Sequence, residues 1–561
     1  METNSFDAIV VGTGMSGGWA AKELTEKGLK TLVLDRGQMV RHGEYPTATK
    51  DPWELPYGNR ITQETRKRKH VWARTGYPTP ANELWFTDDL DNPYVEEQPF
   101  DWLRAYHVGG RSMHWARQSY RLSPMDFEAN AKEGVAIPWP VGYDEIAPWY
   151  DYAETFAGIS GSVENLPQLP DGKFLPPHDL NCVEVDFQAR LKQKLDRRLI
   201  IGRCANLTAP LTHNESPQRG TCQARNLCIR GCPYGGYFSS VSATLPSAER
   251  TGNMTLLPNK IAYEVIYDND KGRATGVRVI DAETRQQTDY FAKVIFLCAS
   301  SLGSAYIMLN SKSSRFPNGF GNDSGELGHN IMDHNKPGGL SADVDGYLDV
   351  AYTGRRPNGF YIPRYRNVGK DKRDYLRGFG FQGRASRAGF GRFNDSPLIG
   401  AELKKAFTEA GPWNIGMTGF AEILPYHENH MRLDPDKKDK YGLPQVVLNA
   451  VVRENERKME KDMRDDAAEM FEAAGFKNFS VRSDNFNVGN TIHEMGTARM
   501  GNDPKKSVLN KWNQVHACKN VFVTDGSFMV SSGCQNPSLT YMAFTARAAK
   551  HAVEELKKGN I

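Results

Sequence analysis

The opening thirty-six residues constrain this chain more than any other stretch. The continuous apolar run from Ala8 to Val11 predicts a buried parallel strand, and Gly12-x-Gly14-x-x-Gly17 follows it without a gap. Ala20, Ala21 and Leu24 then recur at helical spacing, Gly28 stops the helix, and a second apolar strand ends on Asp35. Gly12 permits the tight turn, Gly14 lets the backbone approach a pyrophosphate, and Gly17 lets helix and sheet pack closely. The helix start offers free N–H groups and a positive dipole to phosphates. Asp35 stands where a carboxylate accepts hydrogen bonds from an adenosine ribose. An isolated glycine motif is weak evidence, but strand, helix and acidic strand end all fall in place here. The stretch predicts a dinucleotide site and leaves FAD and NAD undecided.

A chain of 561 residues exceeds one simple core and suits more than one domain. Its net charge of +3 argues against a nucleic-acid surface, and the basic run Arg66 to His70 reads as a solvated loop. No apolar stretch reaches the length needed to span a bilayer. The first apolar residues already belong to the opening strand, which predicts no signal peptide of the chain's own. Such a chain either stays in the cytosol or is carried out by a partner.

Residues 41–99 are rich in Pro, Gly and charge and read as covering loops. The segment Tyr106 to Trp115 holds the glycine pair Gly109 and Gly110, then Ser112 and His114, and can lie flat against a planar ring. Taken alone, His114 is a packed or hydrogen-bonded histidine. Residues 135 to 180 read as loop with short helices around Tyr143 to Phe156. Strand character returns between 254 and 299, where Val294 to Cys298 forms another buried strand and Ala299 to Ser304 opens a helix. Further strands are predicted at Phe379–Gly383, Gly416–Leu424 and Gln445–Val452. The stripe Met459, Met463, Ala467, Met470, Phe471 and Ala474 predicts a core-packed helix. Near the C-terminus, Pro537 suits a first helical position, which makes Asn536 the expected N-cap.

Four stretches in this order resemble the glucose–methanol–choline (GMC) oxidoreductases. They are GTGMSG with Asp35, VGGRSMHW, the run ELGHNIMDH at 326–334, and HEMGTARMG with TDGS (Asp525) and NPSLT. The resemblance implies an α/β (α+β) fold, with a Rossmann-like FAD-binding domain and an inserted substrate domain on a large antiparallel sheet. The corresponding segments are 1–40, 100–130, 205–334 and 485–561 for FAD, and 131–204 and 335–484 for substrate. Asp35 departs from the family's usual Glu. The resemblance makes His493 and Asn536 the catalytic pair. A neutral imidazole near its solution pKa takes the hydroxyl proton of an alcohol, and Asn536 donates a hydrogen bond to the same oxygen. It also implies that Gly12, Gly14, Gly17, Asp35, Gly109, Gly110, Ser112, His114, Asp525 and Asn536 border FAD. His114 stands where some members attach the flavin covalently.

The cysteines distinguish subgroups. Cys222, Cys228 and Cys232, followed by Pro233, fall within eleven residues of a polar, glycine-rich loop. A local disulfide, or a zinc site completed by His213, are the plainer alternatives. The C-x3-C-P ending is similar to cluster-binding loops. The pattern resembles that of bacterial FAD sugar dehydrogenase subunits, which implies a [3Fe–4S] cluster passing electrons to a cytochrome, a small partner subunit and a periplasmic location. Cys182, Cys204, Cys298, Cys518 and Cys534 read as buried thiols. Within the family, oxidation at C3 of glucose or a glucoside is expected, with gluconate or fructose oxidation as the alternative.

Overall fold

A computed structural model describes residues 4–75, 79–211, 219–352, 358–393, 396–481 and 486–561. Strand β1 (Ser5–Val11) leads through helix α1 (Met15–Glu26) into β2 (Thr31–Leu34). β1 pairs in parallel with β2 on one side and with the strand Gln287–Leu297 on the other. Beyond that strand lies Cys518–Val523, and beyond β2 lies Met254–Leu257, both parallel. The apolar runs expected to be buried are buried, because helices and loops cover both faces of a parallel sheet. The hairpin Lys260–Asp268/Arg273–Asp281 adds antiparallel strands to the same sheet.

The second sheet has seven strands, every pair antiparallel. Its centre is the pairing of Phe379–Arg387 with Trp413–Glu422. The helix Glu454–Ala474 lies on it through Met459, Met463, Met470 and Phe471, so the methionine stripe is core. The strand Pro444–Asn449 joins a separate three-stranded sheet with His430–Lys438 and Val95–Glu96.

Three regions depart from expectation. Tyr143–Ala157 is one helix of 15 residues, with Pro148 inside it, and Cys182–Leu195 is a further helix. The first packs on α1 through Trp19 and Phe156, whose rings stand 5.1 Å apart. The basic run lies on short helices, where Arg68 pairs with Asp88 and Asp91. The C-terminal helix is Ser538–Lys558, with Pro537 as its N-cap. Asn536 is therefore outside the cap, and its side chain is engaged elsewhere. Among the described residues no helix is long and apolar enough to cross a membrane.

Candidate active site

A cavity of about 740 Å³ begins at the carboxyl ends of β1 and β2 and extends to the antiparallel sheet. Gly12, Gly14, Asp35, Gly110, Ser112, His114, Asp525, His493 and Asn536 all border it. Segments hundreds of residues apart thus meet around one space. This is the crevice that parallel sheets offer a ligand beyond their strand ends.

The glycine turn has the geometry its sequence demands. Gly12 adopts φ +98°, and a Cβ there would lie 2.4 Å from the Cys298 carbonyl oxygen. A Cβ on Gly17, which the cavity does not reach, would meet the Gly12 carbonyl oxygen at 1.9 Å. A Cβ on Gly14 would instead meet no protein atom within 4 Å, because that position faces open space at the helix start. The cradle fits a pyrophosphate.

Asp35 is already engaged by the protein. Its Oδ2 accepts from the Thr13 hydroxyl and main chain, and its Oδ1 from the Gly37 N–H at 2.9 Å. Burial pushes its carboxyl up to about 6. A carboxylate has further lone pairs to accept from a ribose, so the expected role is compatible with this bonding. Thr13, which the sequence reading missed, also accepts the Gly109 N–H at 2.8 Å and so ties the glycine pair to the turn. Ser112 donates to the Gly109 carbonyl at 2.6 Å and accepts from the Ser240 N–H at 3.0 Å. Asp525 accepts from Ser304 and Ser527, and burial raises its pKa.

His114 packs against Phe86 with ring centroids 4.7 Å apart. Both of its ring nitrogens are buried without a hydrogen-bond partner, although the ring borders the cavity. Burial holds its pKa well below the ordinary histidine value. An orphaned imidazole beside a cradle of this kind fits a ligand that meets it there.

At the far end, Asp333 organises the loop that carries His493. Its two oxygens accept from the main-chain N–H groups of His334, Gly489, Thr491 and His493 and from the Thr491 hydroxyl. His493 Nδ1 lies 3.0 Å from Nδ1 of His334. Burial pushes His493 well below 6.5, with His334, Lys336 and Arg111 adding to the depression. This corrects the expectation of a near-solution pKa: the ring is neutral over a wider range than assumed. Among the described residues, Asp333, His334 and His493 alone place three possible metal-ligand atoms within 4.8 Å of one another. The Asp333 oxygens are taken up by the main chain and Thr491 and the two Nδ1 atoms by each other, which leaves Nε2 of His334 without a partner. Arg111 reaches across to Glu494 at 2.7 Å, linking the glycine-pair segment to this loop.

Asn536 accepts from the Gln382 Nε2 at 2.6 Å. That bond fixes the amide carbonyl toward the antiparallel sheet and leaves the Nδ2 hydrogens as donors. Gln382, Lys336, Arg384 and Phe420 border the same end of the cavity. They come from the sheet register, which no local motif signals.

The three clustered cysteines are free and half-buried, so the disulfide alternative does not hold in this structure. Their sulfurs are not gathered within 4.8 Å of one another. One zinc ion with Zn–S bonds of about 2.3 Å needs them closer. His213 lies outside the described residues. Cys228 borders the large cavity with Asn226 and Ile229, so this loop, remote in sequence from the glycine motifs, shares the cavity with them. Of the remaining cysteines, Cys182 is half-buried at a helix start and the other four are buried.

Two family profiles described as GMC oxidoreductase match residues 6–336 and 425–545. The chain is 27% identical to the fructose dehydrogenase large subunit of Gluconobacter japonicus, over 100% of this chain and 99% of that one. It is 28% identical to 2-methyl-1,2-propanediol dehydrogenase of Mycolicibacterium austroafricanum, covering 97% and 94%. It is 26% identical to the gluconate 2-dehydrogenase flavoprotein of Pantoea cypripedii, covering 99% and 95%. Among solved structures, pyridoxine 4-oxidase from Mesorbium loti superposes with a TM-score of 0.59 at 14% identity, covering 97% of this chain and 98% of that one.

Proposed function

Because the chain belongs to the GMC oxidoreductases, FAD-dependent enzymes acting on CH–OH groups, we propose that it is a sugar dehydrogenase that oxidises a secondary hydroxyl. One observation carries the reading. His493 and Asn536 border one end of the cavity whose other end is the Gly12–Gly14–Asp35 cradle. FAD, when bound, supplies the hydride acceptor.

The residues of the chain do the rest. Gly12 and Gly14 with the start of α1 would hold the pyrophosphate, Gly17 keeps helix and turn in contact, and Asp35 would receive the ribose. Gly110, Ser112 and Asp525 border the cavity where they would flank the ring system, Gly109 stands behind them bonded to Thr13, and His114 would tether the ring. His493, kept neutral by burial, accepts the hydroxyl proton. Asn536, with its carbonyl held by Gln382, donates to the same oxygen. The positive end of the C-terminal helix, which starts two residues later, favours negative charge on the reduced cofactor.

Within this reading, residues 1–40, 100–130, 205–334 and 485–561 serve the cofactor, and 131–204 with 335–484 serve the substrate. C3 of glucose or a glucoside is the favoured position, from the sequence resemblance. Oxidation of gluconate or fructose is the second reading, favoured by the relatives of those names. Cys222, Cys228 and Cys232 would hold a [3Fe–4S] cluster, which would supply one-electron transfer toward a cytochrome, and Cys228 at the cavity wall supports a short path. A small partner subunit accompanies the chain to the periplasm. Anaerobic incubation of FAD-loaded protein with glucose, methyl glucoside, gluconate and fructose tests the function. Bleaching of the flavin, and a 3-keto product by NMR with an artificial acceptor, is the expected result; no bleaching by any of them refutes it.

A further inference from the structure

His334 is fully buried, does not border the cavity, and yet touches the one histidine that does so at the reactive end. The two rings meet edge to face, with centroids 4.9 Å apart and planes at 82°. Their Nδ1 atoms are 3.0 Å apart. Two neutral imidazoles at that distance share one proton, donated by one ring and accepted by the other. Which ring donates decides whether His493 keeps a lone pair on Nε2, the edge left for the cavity.

The surroundings of His334 make the choice. Its Nε2 is buried and has no hydrogen-bond partner. The polar groups acting on its ring are the backbone carbonyls of Gly533 and Gln535. Carbonyl oxygens attract an N–H and repel a lone pair. His493 already engages Nδ1, so Nε2 is the nitrogen left to carry the proton that those groups favour, and Nδ1 is then the acceptor. Burial keeps the ring neutral, with a pKa pushed down to about 4. Both histidines are also held at their backbones, since Asp333 accepts the main-chain N–H of each.

We propose that His334 is a positioning residue that fixes the tautomer of His493, accepting its Nδ1–H and leaving its Nε2 bare toward the cavity. The inference rests on the reading of His493 as proton acceptor. When Nε2 takes the substrate's hydroxyl proton, His493 becomes an imidazolium whose Nδ1–H still points at the His334 lone pair. No second proton has to move. Partners that fix the tautomer of a metal-bound histidine are worth roughly 10- to 100-fold, and the same scale is expected here.

Two measurements on the FAD-loaded protein test it. In protein labelled with 15N in its histidine rings, with signals assigned by their loss in His493→Ala, Nε2 of His493 should give the unprotonated resonance and Nδ1 the protonated one. The reverse pattern overturns the proposal. In anaerobic stopped-flow reduction by sugar, His334→Leu should slow reduction about 10- to 100-fold with apparent substrate binding unchanged. His334→Asn, whose Oδ1 can accept the same bond, should recover most of the rate. Equal rates in Leu and wild type, or equally slow Leu and Asn variants at full FAD content, overturn it as well. So does stoichiometric zinc that disappears in His334→Leu, since the contact would then be metal-bridged. A fast His493→Ala removes the base reading itself, whereas a slow His493→Ala beside a fast His334→Leu removes only this inference. If both His334 variants lose FAD, the resonance pattern of the unsubstituted protein decides alone.

Discussion

Two glycines three residues apart should respond to alanine in opposite ways. Gly14 has φ −67°, outside the left-handed region that favours glycine, and its Cβ would enter open space. As the N-cap of α1, alanine costs about 0.5–1 kcal/mol there. The reduced freedom of the unfolded chain returns about 0.4–1 kcal/mol. Apoprotein stability in Gly14→Ala therefore stays within about 1 kcal/mol of the parent. If a pyrophosphate lies against this position, the methyl group displaces it. Losing one charge-assisted hydrogen bond, about 1.5–3 kcal/mol, weakens FAD by roughly 10- to 150-fold. At Gly17 the added Cβ would sit 1.9 Å from a main-chain oxygen that cannot swing aside. Helix and turn would have to separate, at about 3 kcal/mol or more. Thermal melting of the apoproteins and fluorescence titration with FAD separate the two effects. Parent-like FAD affinity in Gly14→Ala, or a melting loss equal to that of Gly17→Ala, refutes the reasoning.

Other outcomes follow from the same geometry. His493 is a base whose pKa is depressed, so its neutral form survives as pH falls through 6.5; flavin reduction by sugar should decline only at lower pH, and an acid limb centred at 6.5 or above contradicts this. Replacing Cys222, Cys228 or Cys232 by Ser should remove iron while FAD stays bound and substrate still bleaches it; metal analysis and low-temperature EPR of anaerobically purified protein check this, and iron near zero in the parent protein ends the cluster reading. Acid precipitation should leave yellow colour with the protein pellet, and His114→Ala should release it to the supernatant. Flavin found wholly in the supernatant of the parent protein makes His114 a packing residue.

The parts legible in the sequence are those whose physics is local. The β1–α1–β2 unit announces itself because strand burial, glycine sterics and helix period act within thirty-six residues. The methionine stripe of Glu454–Ala474 is legible for the same reason. The reactive end is not local. Gln382 reaches Asn536 across 154 residues, and Asp333 clamps His493 across 160. Only the folded sheet and loop registers create those contacts, so Asp333, His334 and Gln382 carried no role beforehand. The run ELGHNIMDH held the signal for two of them. Asn536 and Pro537 stand one position apart at the helix start, within the span by which such boundaries are ambiguous, and the bond from Gln382 that engages Asn536 is invisible in sequence. The cysteine loop is separate in sequence from every flavin motif, and only the fold brings Cys228 to the cavity wall.

The central claim is that His493 takes the substrate's proton inside an FAD cavity. Rapid anaerobic mixing of FAD-loaded His493→Ala with a sugar that bleaches the parent enzyme tests it most directly. The flavin should remain bound, and its reduction should slow by about 100-fold or more, the order of a general-base contribution. Reduction at close to the parent rate, with FAD content unchanged, would contradict the account.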